Sequence, residues 1–313
     1  MKTISNQNYL IVGANGALAK ETIKHLLKDG VQHLTMAVRT LEKGQQAKKE
    51  ILSEVPQSHG RIDVVGGFDM NQPEKIKHAV TALDKPFDVI FLAAGFAVFT
   101  DDYQQVNYKD KAVEKNVFQN LFGSHITLAL LKEQRLIAPG ARVVLAGGEG
   151  ARGIKGMIEK PVFNSPKELR NYIYLKDLPK YNAMNAIGAS KFFGALWTKK
   201  MAQNHPELEL IWFSPGLTAK SAGLQSLPVA KRLMMGLLFG AMNLLGKSQN
   251  PSEGGRKNAD VLTRKIGHSG DLLGAPKGAT LGKITDQSLL NSGFTDQGLI
   301  DELWKITQEV YAA

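Results

Sequence analysis

Two glycines three residues apart, Gly13 and Gly16, follow a short apolar run, Tyr9 to Val12, and precede a helical pattern through Ala17, Ile23 and Leu27. A strand-to-helix turn of this kind suits an anion. Gly13 permits the tight turn, and Gly16 leaves backbone bare of a side chain where a pyrophosphate would approach. The N–H groups of the opening turn, over Asn15, Gly16, Ala17 and Leu18, would face that pyrophosphate, while Ala19 keeps helix and strand close. A second chemical cue lies at Arg39, just after the apolar run His33 to Val38. In a dinucleotide fold the end of this second strand meets the adenosine ribose. An acid there would bond a free 2′-hydroxyl, whereas an arginine suits a 2′-phosphate. No Asp or Glu lies near this strand end before Glu42, and Lys43 adds positive charge. The pattern points to NADP(H) rather than NAD(H), against the plainer reading of Arg39 as a surface cation.

The elements that must hold these residues alternate. Strands are expected at Arg61–Val65, Phe87–Ala94, Ala141–Ala146 and Leu208–Phe213. Helices are expected at Thr40–Leu52, from Pro73, at Lys109–Gln134 and at Tyr181–Gln203. Such alternation predicts one α/β domain over 1–313, a doubly wound parallel-sheet Rossmann fold with helices on both faces.

Composition narrows the function classes. The 313 residues are 43% hydrophobic and 22% charged, ordinary for a globular protein with a substantial core. With no cysteine, disulfides, thiol catalysis and thiolate metal sites are excluded. The seven histidines show no ligand spacing, so no metal site is expected. The net charge of +10 is spread without basic runs or aromatic interleaving, which argues against nucleic acid. No signal-like segment opens the chain, so a cytoplasmic location is expected.

Further motifs fall in order along the chain: Asp69-Met70, Leu92-Ala93-Ala94-Gly95, Asn120, Gly188-Ala189-Ser190-Lys191 and Pro215-Gly216. With the Gly13 turn, they resemble the short-chain dehydrogenase/reductase family over essentially the whole length. The resemblance implies that Asp69 and Met70 meet the adenine, and that Ala94, Gly95, Pro215 and Gly216 line the cofactor. It also implies that Lys191 holds the nicotinamide ribose and that Asn120 supports Lys191 through a water. The last third, with Asn250 to Gly255 and Leu299 to Val310, is similar to the retinol dehydrogenase and protochlorophyllide reductase type, which acts on lipophilic substrates.

The pattern breaks at the proton donors. The family's Tyr-x-x-x-Lys would put tyrosine at 187, where Ile187 stands, and its serine falls on Gly148. Neither substitute can donate a proton or a side-chain hydrogen bond. Between Gly148 and Lys191 the chain holds roughly twenty-five residues beyond the family's usual spacing, and long insertions in compact domains are usually functional or disordered. This insertion, 151–180, carries Tyr172 and Tyr174 and leads to Tyr181. Tyr181-Asn182-Ala183-Met184 is similar to the Tyr-Asn-x-Met of bacterial enoyl reductases. Tyr181 could serve as a relocated donor if the helix starts after it, or simply pack under the loop. Glu149 is a second candidate donor, set against a solvated loop acid.

Three functions stay open. One is reduction of a lipophilic carbonyl or conjugated double bond. The second is dinucleotide binding without turnover, as a sensor or scaffold, and the third is isomerase or cyclase chemistry on the same fold. Leu233 to Gly246 is apolar on every helical face but too short to span a bilayer, which takes about 20 residues. Within 217–255 it reads as a lid over an apolar substrate. Peripheral membrane contact through 233–246, aided by Lys231-Arg232, is the alternative, and a homo-oligomer is left open.

Overall fold

The computed structural model describes residues 2–219 and 246–312. All but the last residue of the apolar stretch 233–246, and with it the lid or membrane role assigned to it, lie outside the described residues. The chain runs β1 (Asn8–Val12), α1 (Ala17–Lys28), β2 (His33–Ala37), α2 (Leu41–Glu54), β3 (Arg61–Val65), α3 (Pro73–Val80) and β4 (Phe87–Leu92). There follow a hairpin, β5 (Gln105–Tyr108) and β6 (Lys111–Glu114), and a helical turn, α4 (Lys115–Val117). A π-helical stretch, Phe118–Phe122, then leads into α5 (Gly123–Glu133). Next come β7 (Ile137–Ala146), α6 (Pro166–Ile173), α7 (Ala183–Asn204) and β8 (Glu209–Phe213). The chain closes with α8 (Pro251–Leu262), β9 (Leu272–Gly274), β10 (Thr285–Asp286) and α9 (Gln297–Ala312).

Eight strands form one sheet in the order β10-β9-β8-β7-β4-β1-β2-β3, parallel except for the antiparallel edge strand β10. The expected doubly wound architecture is therefore the observed one. Strand order reverses between β1 and β4, and the C-terminal ends there form the crevice in which such sheets take ligands. The pleat divides β1 between two cores. Leu10 and Val12 pack with Phe118, Phe122, Phe192 and Leu303 on one face. Tyr9 and Ile11 pack with Ile23, Leu26, Ile51 and Val261 on the other. Both faces of the central strand are buried, which is why Tyr9–Val12 is apolar without alternation.

Two stretches differ from expectation. The expected helix Lys109–Gln134 begins only at Lys115, because Gln105–Glu114 pairs as a hairpin in which Val106 faces Val113. Lys109, with φ 51°, takes the left-handed conformation that its two-residue loop demands. The segment Asn250–Gly255, grouped with the lid in the sequence, caps and opens α8. Gly254 and Gly255 in α8 lie so close to Leu18 and Glu21 of α1 that a Cβ on either would clash. No helix among the described residues is long and apolar enough to cross a membrane.

Candidate functional site

The turn after β1 is built around the absence of a side chain. Gly13 has φ +82°, and a Cβ there would sit 2.8 Å from the backbone N and Cα of Ala94 at the end of β4. Its N–H donates to Ala37 O at 2.9 Å, tying the turn to β2. Gly16 is the N-cap of α1 and supplies no side-chain cap, so the N–H groups of the opening turn, at Ala17 and Leu18, keep their donor capacity. Asn15 borders a cavity of about 440 Å³ shared with Lys20, Glu42, Lys43 and Gln46 on the α2 side. Arg39, two residues past β2, is exposed, and its side chain makes no hydrogen bond or ion pair among the described residues. Asp69 accepts from Asn71 N (3.1 Å) and Gln72 Nε2 (3.3 Å). Met70 is buried against Gly123, where a Cβ would come within 2.7 Å of it.

At the end of β4 the chain passes through Ala94 and Gly95 under Asn120. A Cβ on Gly95 would overlap Asn120 Oδ1. Asn120 sits in the π-helical stretch, 2% exposed. Its Nδ2 donates to Asn116 O (2.8 Å) and Phe96 O (3.1 Å), and its Oδ1 is buried without a hydrogen-bond partner among the described residues. π-helical turns often mark functional sites, and an orphaned buried acceptor calls for a water or ligand.

Lys191, on α7, extends its ammonium to Ala146 O at the end of β7, 2.8 Å away. Although the residue as a whole keeps partial exposure, burial of the ammonium pushes its pKa down to about 8. Gly148 follows with extended backbone, and a Cβ there would lie 3.4 Å from Lys191 Cγ. Ile187, one helical turn before Lys191, is half-buried. Pro215 and Gly216 follow β8. Pro215 O accepts from Gln249 Nε2 (2.8 Å) and Lys257 Nζ (3.2 Å), and Gly216 has φ +100°.

Neither candidate donor is free. Glu149 is 5% exposed, accepting from Ser214 Oγ (2.7 Å) and Ala275 N (3.2 Å), so it is a buried joint between strand ends and not a solvated loop acid. Helix α7 does begin after Tyr181, with Asn182 capping it through Met184 N and Asn185 N. The Tyr181 hydroxyl nonetheless donates to Val98 O, and Asn116 Nδ2 lies 3.4 Å from it. Tyr172 is buried beside Phe163 and Phe193, and Tyr174 donates to Glu309 Oε2 (3.1 Å). Burial raises all three phenols, Tyr174 to about 12. A further cavity of about 690 Å³ opens between the insertion and 277–278, bordered by Arg152, Lys155, Lys160, Asn182 and Lys277.

The residues missed in the sequence are Asn116 and Gln119, which join Asn120 in holding the loop after β4. Gln119 Nε2 donates to Phe96 O (2.6 Å), and Asn116 Oδ1 accepts from Val98 N (2.9 Å). Their signal was available: three amides at i, i+3 and i+4 on an otherwise apolar helix.

Residues 7–133 match the KR domain family. The chain is 25% identical over 257 residues to the short chain dehydrogenase atnD of Emericella nidulans, covering 79% of this chain and 76% of that protein. In structure it is similar to the Pseudomonas aeruginosa RhlG/NADP active-site complex, with a TM-score of 0.61 at 14% identity over 86% of this chain and 94% of that one. It is also similar to the apo structure of a short chain oxidoreductase from Pseudomonas aeruginosa PAO1 containing an atypical catalytic center. There the TM-score is 0.54 at 13% identity, over 83% of this chain and 92% of that one. The chain is thus similar in sequence to a short chain dehydrogenase and shares the fold of short-chain oxidoreductase structures.

Proposed function

We propose that this chain is an NADP(H)-dependent oxidoreductase of the short-chain dehydrogenase/reductase family, acting on a lipophilic carbonyl or conjugated double bond through a non-standard active site. The observation that carries the reading is the pairing of a retained, enclosed Lys191 with two neighbours, Gly148 and Ile187, that have no hydroxyl. The residues present fit a dinucleotide. The Gly13 turn has no room for a Cβ, α1 opens without a side-chain cap, and Asn120 Oδ1 lacks a partner among the described residues. Arg39, exposed and without an ion pair among the described residues, favours a 2′-phosphate, together with Lys43 beside the cavity at Asn15. The NADP named with the RhlG structure agrees with this choice, and the atypical centre named for the PAO1 protein has a counterpart in the lost hydroxyls.

Bound there, the reduced nicotinamide would supply a hydride. Lys191 would hold its ribose and keep positive charge beside the reacting centre, while Asn120 would steady the water between them. No side chain at 148 or 187 can hand a proton to an alkoxide. Glu149 and Tyr181 are committed elsewhere. Reduction of a conjugated double bond makes the lighter demand, since it needs polarisation of a remote carbonyl and leaves the α-carbon proton to water. The same losses favour a second reading, dinucleotide binding without turnover.

Following NADPH absorbance with a panel of hydrophobic enones and ketones separates the two. Enone-dependent oxidation is expected. Tight cofactor binding with no turnover across a broad panel would favour the sensor.

A further inference from the structure

The loop after β4 is held more firmly than its surface position requires. Phe96 O accepts from both Gln119 Nε2 and Asn120 Nδ2, at 2.6 and 3.1 Å. Two residues on, Val98 N donates to Asn116 Oδ1 at 2.9 Å, and Val98 O accepts from Tyr181. Asn116 is fixed in turn by Glu114, whose Oε1 accepts from Asn116 Nδ2 (2.8 Å) and whose Oε2 caps Val117 N (2.8 Å). Glu114, Asn116, Gln119 and Asn120 are all buried, and Tyr103 lies edge-on to Tyr181 at 4.8 Å. Four polar side chains thus bond the backbone of Phe96 and Val98, and a fifth, Glu114, fixes one of the four. The aromatic ring they carry is not spent on the core: Phe96 remains 42% exposed. It directly follows Gly95, at the C-terminal end of the strand bordering the sheet's switch point. A large apolar ring left in water on a fixed backbone is a preorganised contact for something apolar.

We propose that Phe96 is a specificity-determining residue that packs on the apolar body of the substrate. Glu114, Asn116, Gln119 and Tyr181 are then positioning residues that fix its backbone. The inference rests on the proposed function and deepens it. The substrate carries an alkyl or aryl extension beyond its reacting carbonyl or enone. The role of Tyr181 becomes mechanical: its hydroxyl holds the loop.

The test uses the full chain loaded with NADP⁺, which blocks turnover, and calorimetric titration with a pentenone, a heptenone and a nonenone. In the wild-type protein affinity should rise with chain length. Phe96→Ala should weaken the nonenone by about 5- to 10-fold, the loss expected for removing most of a ring's contact area, with little change for the pentenone or for NADP⁺. Phe96→Leu should fall between. Tyr181→Phe, which deletes the bond to Val98 O, should flatten the same gradient by about 2- to 3-fold, a modest share of a hydrogen bond's worth. An unchanged gradient in Phe96→Ala, or no alkenone binding to the NADP⁺-loaded wild type, would overturn the inference while the cofactor reading stands. An unchanged gradient in Tyr181→Phe alone would overturn the positioning role. Failure of the wild type to bind NADP⁺ would instead overturn the proposed function, and this inference with it.

Discussion

The ammonium of Lys191 donates to the carbonyl oxygen of Ala146 at 2.8 Å, so this cation of the candidate centre is anchored to the last residue of β7. Burial has pushed its pKa down to about 8, which leaves it charged at neutral pH and discharged in mild alkali. If that charge holds the cofactor, binding must favour the protonated form. NADPH affinity should then fall by about 3- to 10-fold between pH 7 and 9, since one pKa unit is worth tenfold. Lys191→Met should bind more weakly at pH 7 and lose this dependence. A wild-type affinity that stays level over the range would show that the ammonium does not contact the cofactor.

The hydroxyls that the family resemblance would place at 148 and 187 can be introduced. Gly148 has extended backbone that any residue adopts, and a Cβ there would reach 3.4 Å from Lys191 Cγ. Ile187 lies one turn before Lys191 on α7 and on the same face. Gly148→Ser combined with Ile187→Tyr should therefore create ketone reduction with NADPH, at least about 10-fold above either single variant, because a placed acid is worth about 10²-fold or more. Steady-state rates on a hydrophobic ketone measure it. A double variant that folds and binds NADPH yet reduces no ketone would mean that Lys191 does not stand in a carbonyl-reducing position.

How much of this centre could be read from the residues depended on range. The Gly13 turn was legible because strand, glycine and helix are adjacent in the chain and the physics is local. The start of α7 was legible only in part. Asn182 is a recognisable N-cap, but the partner that takes the Tyr181 hydroxyl, Val98 O, is 83 residues away. Glu149 carried no such signal, because its burial is made by Ser214 and Ala275 from later strands. The hairpin Gln105–Glu114 was hidden behind apolar spacing that also fits a helix, and its pairing was decided by Val106 and Val113 meeting across the turn.

Away from the site, His125 gives a stability test. It is buried under Trp197, Trp304 and Tyr311, and its Nδ1 accepts from Trp197 Nε1 at 3.1 Å. Burial, with a smaller contribution from His205, pushes its pKa down to about 4 from 6.5. The folded form stays neutral where the unfolded chain already binds a proton. The stability it contributes is complete above pH 6.5 and is lost as pH falls toward 4, by up to about 3 kcal/mol. His125→Gln keeps an acceptor for Trp197 and cannot titrate, so its denaturant midpoint should drop less between pH 7 and 4.5. Equal drops in the two proteins would mean that His125 is not the group responsible.

The central claim is a phosphorylated dinucleotide on the Gly13 turn with its 2′-phosphate at Arg39. Calorimetric titration of NADPH and NADH against the wild-type protein and Arg39→Ala tests it most directly. NADPH should bind the wild type more tightly than NADH. Arg39→Ala should weaken NADPH by about 1–3 kcal/mol, the cost of a lost charge-assisted contact, and leave NADH nearly unchanged. Equal or weaker affinity for NADPH than for NADH in the wild type would contradict the account.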